Sequence, residues 1–395
     1  MPRYIWLLVI GTTINVTGAS FLWPLNTIYM HNELGKTLAF AGIVLMLNQA
    51  AAIMGNFLGG FLFDRFSPYK TILLGTGTAF TAALTLSMNH SIVPYTILLI
   101  VIGFGSGITI PVMFAMAGSV WPEGGRKTFN AIYVAQNLGV ALGASIGGYV
   151  ASISFDYIFM ANAFMFGMFF LLVLTTYKGM DEEKNRSMST SILEQTSQIK
   201  SKAAFNGLLI LSGGFLIAWI AYSQWQSTIA SYTQDIGIPL EQYSALWAIN
   251  GFLIVLGQPL VSFITKRITS QKMHIYIGTI IMILSFVVAS FAEMFTMFAG
   301  AMIILTLGEM LIFPAIPSLA NELAPKGRTG FYQGFVNSVA AAGRMTGPFL
   351  GGLIVDLYHI NLLFIVLIFL LVIPFMTTYL YDRGVKKSGS IIANK

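Results

Sequence analysis

Cysteine is absent from the chain, which removes disulfides, thiolate metal sites and cysteine nucleophiles together. Charge is nearly as scarce, at 9% of the 395 residues against about 25% in an ordinary soluble domain. The longest polar interruption runs only from Lys178 to Lys202, so no separate soluble domain fits between the apolar runs. His31, His90, His274 and His359 show no H-x-x-x-H spacing, and no Gly-rich loop is followed by the lysine that a nucleotide phosphate needs. No G-x-S-x-G elbow occurs either. A metal, a cofactor, ATP hydrolysis and enzymatic chemistry are therefore not expected.

What fills the space is hydrophobic, at 56% of the residues, with 39 glycines and 31 phenylalanines. Small residues let helices in lipid approach closely, and large apolar ones face the acyl chains. A bilayer crossing takes roughly 20 apolar residues. Apolar runs between polar breaks predict twelve helices, near 4–29, 37–63, 71–89, 94–119, 129–151, 157–177, 206–231, 243–264, 273–291, 295–319, 330–355 and 362–381. The first run is too long for a signal-peptide core and is read as a retained helix. With the N-terminus inside, every basic residue except Lys36 and Arg344 falls in a cytoplasmic segment, as the positive-inside rule requires. Both termini are then cytoplasmic. The net charge of +6 is topological and does not point to nucleic acid. The expectation is a multi-pass, all-α protein of a bacterial inner or plasma membrane, acting in the lipid bilayer as a monomer.

Sliding the chain along itself by about 202 residues reveals a repeat. Trp23 meets Trp225 and Asn48 meets Asn250, and the Gly55–Lys70 segment lies against Gly257–Lys272. GASIGG at Gly143–Gly148 lies against GPFLGG at Gly347–Gly352. Two pseudo-symmetric six-helix bundles are the simplest account. They comprise residues 1–177 and 206–382, joined by a cytoplasmic linker at 178–205 and followed by a tail at 383–395. Parallel repeats of this kind place a binding site near the bilayer midplane.

Three features carry a resemblance to the major facilitator superfamily, in its bacterial drug-efflux-like branch of twelve helices. Gly60, Asp64, Arg65 and Lys70 resemble the family's G-x-L-x-D-R-x-G-R-[KR] signature after the second helix, with Ser67, Pro68 and Tyr69 departing from its later positions. Gly343, Gly347, Pro348 and Gly351 in the eleventh helix resemble the family's antiporter motif. Gly139, Gly143 and Gly147 in the fifth, where the motif is expected, lack the proline. The arginine typical of the fourth helix in proton-coupled members is absent between Ile97 and Gly107. The resemblance implies secondary transport of a small molecule by alternating access. The leading expectation is proton-coupled efflux of amphipathic or cationic compounds. A sugar or metabolite carrier, a facilitator without coupling, and a non-transporting sensor or lipid-translocating module stay open.

Glu309 and Arg344 are the charges placed near the membrane midplane, on sequential antiparallel helices at similar depth. A lone charge there costs at least ~2.5 kcal/mol, so the two are expected to interact. Glu309 would carry the coupling proton or attract a cation, and Arg344 would assist it or dock an anion. The repeat equivalent of Glu309 is Ser106, so the acid is not needed to form the helix. Asp64 would face the positive N-terminal end of a neighbour, which the resemblance identifies as the eleventh helix, and latch the cytoplasmic side. Trp23, Asn26, Tyr133, Asn137, Tyr222, Trp225, Gln226 and Asn250 are the expected lining of a substrate cavity. The rival role for the amides is interhelical bonding.

Overall fold

The computed structural model describes residues 1–22, 25–26, 29–36, 38–151, 154–180, 200–325 and 327–383. Apolar runs become helices, and Ser67, Ser154 and Ser270 each cap the entry to one. α1 spans Arg3–Leu22, α2 Leu38–Arg65, α3 Pro68–Met88, α4 Ile92–Val120, α5 Arg126–Ala151 and α6 Phe155–Thr176. In the second half α7 spans Lys200–Ser223, α8 Leu240–Leu256, α9 Gln271–Ser290, α10 Phe295–Ile312, α11 Thr329–Leu357 and α12 Ile360–Leu370. Ser67 explains the departure from the signature motif after α2. Its hydroxyl accepts the Lys70 N–H at 3.1 Å, and Pro68 opens the next helix, where a missing N–H costs nothing.

Among the described residues, ten helices are long and apolar enough to cross a membrane, eleven when one bent pair is joined. α11, at 29 residues, is the remaining expected crossing. It falls outside that set because Gln333, Asn337 and Arg344 lower its hydropathy. Among the described residues, expected spans are interrupted at several points. α1 is described as far as Leu22, and a π-helical turn spans Tyr29–Glu33. α7 gives way to a tight turn at Gln224–Gln226 and a short helix at Thr228–Asp235. α8 bends by 51° at Gly257 into Gln258–Arg267, where Pro259 withholds a backbone donor. α10 breaks at Phe313 and Pro314 and resumes as Ala315–Leu323. Trp23, most of the expected linker and the tail beyond Arg383 lie outside the described residues.

The chain divides into two compact units. One comprises residues 1–195 and 326–341, so the first turns of α11 belong with α1–α6. The other comprises 196–325 and 342–395. Within the first, α2 packs on α4, α1 on α5 and α6, and α3 on α4 and α6. Within the second, α8 packs on α10, α9 on α10, and the helix Val372–Leu380 that continues α12 on α7. The pairings α2–α4 and α8–α10 correspond under the 202-residue shift, as do α3–α4 and α9–α10.

The cores follow from this packing. One cluster of the first unit gathers Tyr29, Leu86, Tyr95 and Phe159, another Ile5, Phe63, Phe129 and Tyr177. Some buried polar side chains bond across helices, as a medium without water favours. The Asn162 amide donates to the Gly18 carbonyl at 2.6 Å, and the Tyr177 hydroxyl to that of Leu7 at 2.9 Å.

Candidate functional site

The Gly motifs set how closely helices approach. On α5, a Cβ at Gly139 would come 2.9 Å from the Thr13 carbonyl of α1, and one at Gly143 would meet the Thr17 carbonyl at 2.5 Å. Gly147 faces Phe21 of the same helix at 3.3 Å. On α11, Gly343 faces Trp219 at 2.5 Å, Gly347 the Ile220 carbonyl at 3.0 Å, and Gly351 the Thr228 hydroxyl at 2.6 Å. Both stripes thus run against the first helix of their own half, and Pro348 lies inside α11. Gln224 ties the second pair, its amide donating to the Gly347 carbonyl at 2.7 Å and to that of Ile220 at 3.0 Å.

Close packing of α11 on α7 brings Arg344 beside Trp219. The guanidinium carbon sits 4.6 Å from the indole centre, a cation–π contact. Trp219 stacks on Phe313 with centroids 4.7 Å apart and planes 6° from parallel. Tyr222 meets Trp219, Phe313 and Trp247 edge-on at 5.5, 5.3 and 6.1 Å. The spacing of Trp219 and Tyr222 by three residues puts both rings on one face of α7.

At the edge of this aromatic layer lies Glu309, 1% exposed. Its carboxylate accepts from the Asn250 amide at 2.6 Å and from the Tyr222 hydroxyl. Asn250 also donates to the Thr306 hydroxyl at 2.9 Å. The repeat offers a control, since Asn48, the counterpart of Asn250, donates to the Leu99 carbonyl at 2.6 Å. The same amide closes a backbone contact in one half and holds a carboxylate in the other. The expected direct pairing of Glu309 with Arg344 is corrected by these contacts. Ion pairs among the described residues are His90–Asp156 at 3.0 Å and Lys272–Asp382 at 2.9 Å, and Arg344 instead covers an indole face.

Of the other expected cavity residues, Asn26 accepts the Tyr95 hydroxyl at 2.6 Å inside the first unit, an interhelical bond. Asn137 donates to the Tyr133 carbonyl one turn back at 2.9 Å, and Tyr133 is 7% exposed. Trp225 is wholly buried, and its carbonyl accepts the Tyr243 hydroxyl. Gln226 is half-buried in the turn after α7. Trp219, Trp247 and Phe313 were not among the expected residues. Their signal was helical spacing: Trp247 precedes Asn250 by three, and Phe313 follows Glu309 by four.

A second constellation occupies the first unit. Asp64, in the last turn of α2, accepts the backbone N–H of Gly330 and of Phe331, each at 2.8 Å. These are first-turn donors of α11, which have no partner within their own helix. The approach needs two glycines, since a Cβ on Gly330 would lie 2.5 Å from the Gly60 carbonyl and one on Gly60 would strike the Gly330 carbonyl. Phe57 adds ring contacts to Phe331 and Phe335 at 6.5 and 6.3 Å. Arg65 lies 5.7 Å from the Phe61 ring centre on its own helix, and Lys70 contributes its backbone N–H to the Ser67 cap.

Ten or more apolar crossings, two units with matching helix pairings, and buried polar clusters inside the spans define a polytopic membrane carrier. Comparison with known proteins names the family. The Major Facilitator Superfamily matches residues 8–348 and 276–394, and the chain belongs to it. It is therefore a multi-pass transporter of the bacterial inner membrane, not an enzyme. The MFS-type transporter YttB of Bacillus subtilis is 55% identical over 98% of this chain and 97% of its own. The multidrug resistance protein MdtH of Aeromonas hydrophila is 22% identical over 89% and 87%. A Na(+), Li(+), K(+)/H(+) antiporter of Planococcus maritimus is 23% identical over 86% and 87%. Among solved structures, a POT family transporter in complex with a thioalcohol conjugated peptide superposes with a TM-score of 0.74 at 17% identity, over 98% and 97% of the two chains. FucP in the outward conformation gives 0.72 at 12%, over 96% and 99%. At those identities the likeness shows the fold alone.

Proposed function

We propose that this protein is a proton-coupled secondary transporter of amphipathic small molecules, working by alternating access between its two six-helix halves, with Glu309 as the carboxyl that carries the coupling proton. The observation that carries this reading is a carboxylate buried within a membrane span and held by an amide and a phenol. Burial keeps it from solvent, while the Asn250 amide and the Tyr222 hydroxyl donate to it. A setting of that kind suits a group that must change protonation state, and an ionisable residue inside the bilayer is functional by default. Ser106 in the other half supports the assignment, because the fold does not require the acid.

Both termini are placed in the cytoplasm by the distribution of basic residues. The Asp64 contact then acts as a latch on that side. It binds the N-terminal end of α11, where the helix dipole favours an anion, and it must break when the cytoplasmic face opens. The names of the multidrug resistance and antiporter relatives support proton exchange and drug efflux as one form of the reading. Charge at the site governs that form. A cationic guest would compete with the proton for Glu309, and an anionic one would not.

The test is reconstitution into proteoliposomes with an imposed pH gradient, following a fluorescent amphipathic dye. Wild type accumulates dye only with the gradient. Glu309→Gln loses gradient-driven accumulation and keeps flux down the dye's own gradient. The assignment is defeated by wild-type flux indifferent to the gradient, or by normal coupling in the variant.

A further inference from the structure

We propose that Arg344 and the Trp219–Phe313 stack form a dock for the anionic group of an amphipathic aromatic substrate. The inference rests on the transport reading above and adds the sign of the substrate's charge. A guanidinium offers five N–H donors in a fixed plane and keeps its charge in any protein setting. The contact the structure gives Arg344 is the indole face of Trp219, which satisfies attraction to the cation but accepts none of those in-plane donors. Among the described residues the ion pairs lie elsewhere, at His90–Asp156 and Lys272–Asp382. The guanidinium nitrogens are not among the sealed polar atoms, and Arg344 is part-exposed on a span whose neighbours Gly343 and Gly347 are buried. Its donors are thus not sealed off by protein.

A permanent charge inside a membrane span is costly unless it lines a wet cavity or meets an opposite charge. A structural ion pair would have served packing alone, and packing here is already set by the glycines of α11 against α7. A carboxylate, sulfonate or phosphate group fits the planar fork bidentately, whereas an ammonium is repelled. The aromatic layer fixes the rest of the guest. The part-exposed Trp247, joined to Trp219 through Tyr222, offers flat apolar surface near the charge. Tyr222 also bonds Glu309, so the dock and the proton site share one side chain. An anion on Arg344 and a proton on Glu309 lower each other's electrostatic cost, so the two are taken up together rather than in turn.

The experiment uses the full chain in lipid nanodiscs and isothermal titration with three matched probes: 2-naphthylacetate, 2-naphthylethylammonium and the neutral 2-naphthylacetamide. The carboxylate binds wild type more tightly than either partner. Arg344→Gln weakens it by ~10- to 100-fold, the range of a lost charge-assisted pair, and leaves the amide within about twofold. Arg344→Lys, which keeps the charge without the fork, falls between. Tight binding of the ammonium, or carboxylate affinity unchanged in a folded Arg344→Gln, overturns the dock. If Arg344→Gln does not fold, the order of the three probes on wild type and their response to Arg344→Lys decide alone. These titrations need no pH gradient. An unaffected carboxylate with coupling still lost in Glu309→Gln removes the dock and spares the transport reading, and the converse pattern removes coupling and spares the dock.

Discussion

Replacing Asp64 by Asn tests the contact between α2 and the start of α11 most sharply. Asp64 accepts two backbone N–H bonds of 2.8 Å from Gly330 and Phe331. Asn keeps the shape and one acceptor oxygen but loses the charge and one of the two bonds. A hydrogen bond to a charged group contributes about 1.5–3 kcal/mol, and a surface anion at a helix N-terminus about 0.3–1 kcal/mol. The loss is therefore about 2–4 kcal/mol, or roughly 30- to 900-fold in the equilibrium between joined and separated helix ends. Because the sequence contains no cysteine, a single Phe331→Cys needs no prior removal of native thiols. Its labelling by a membrane-impermeant maleimide in inverted vesicles reads how often the helix ends part. Asp64→Asn raises the labelling rate toward that factor. Gly330→Ala raises it as well, by forcing a methyl to within 2.5 Å of the Gly60 carbonyl. Unchanged labelling in both variants would refute the latch.

Two further substitutions separate packing from recognition. Gly347→Val drives a branched side chain into Ser223 and the Ile220 carbonyl, an overpacking cost of about 1–3 kcal/mol that lowers the melting temperature of the purified protein. Gly352→Val, at a position with open space, leaves it near wild type. Tyr95→Phe deletes the hydroxyl that donates to Asn26 at 2.6 Å and destabilises by about 1–3 kcal/mol in the same thermal assay. If Asn26 is interhelical glue, substrate affinity in that variant is unchanged.

Much of the fold was legible because lipid leaves the chain few choices. Apolar run length fixed where helices lie, and most expected boundaries fall within a few residues of those observed, as at α6 and α9. Interruptions were harder to read. The bend at Gly257 and the break at Pro314 depend on what Gly and Pro do locally, and hydropathy passes over both. α11 shows the opposite case, a span read as an apolar run between polar breaks although its polar residues depress its hydropathy. At the site, scarcity pointed to Glu309, Arg344 and Asp64, since charge in a membrane segment demands an explanation. Partners were another matter. Glu309 meets Asn250 and Tyr222 rather than Arg344, an outcome set by side-chain direction across three helices. Counting residues from a helix start gives depth along the membrane and says nothing of azimuth, which is why equal depth suggested a pair that the structure does not form. Trp219 shows the same limit, because only its neighbours α11 and the Phe313 turn reveal what its ring faces.

The proposed coupling has Glu309 gaining and losing a proton while buried, and infrared difference spectroscopy of the protein in lipid observes that directly. A protonated carboxyl stretch that appears as the pH is lowered, shifts in deuterium oxide, responds to added substrate and vanishes in Glu309→Gln is the predicted result. A spectrum in which no carboxyl band is lost in that variant at any accessible pH, with or without substrate, would contradict the account.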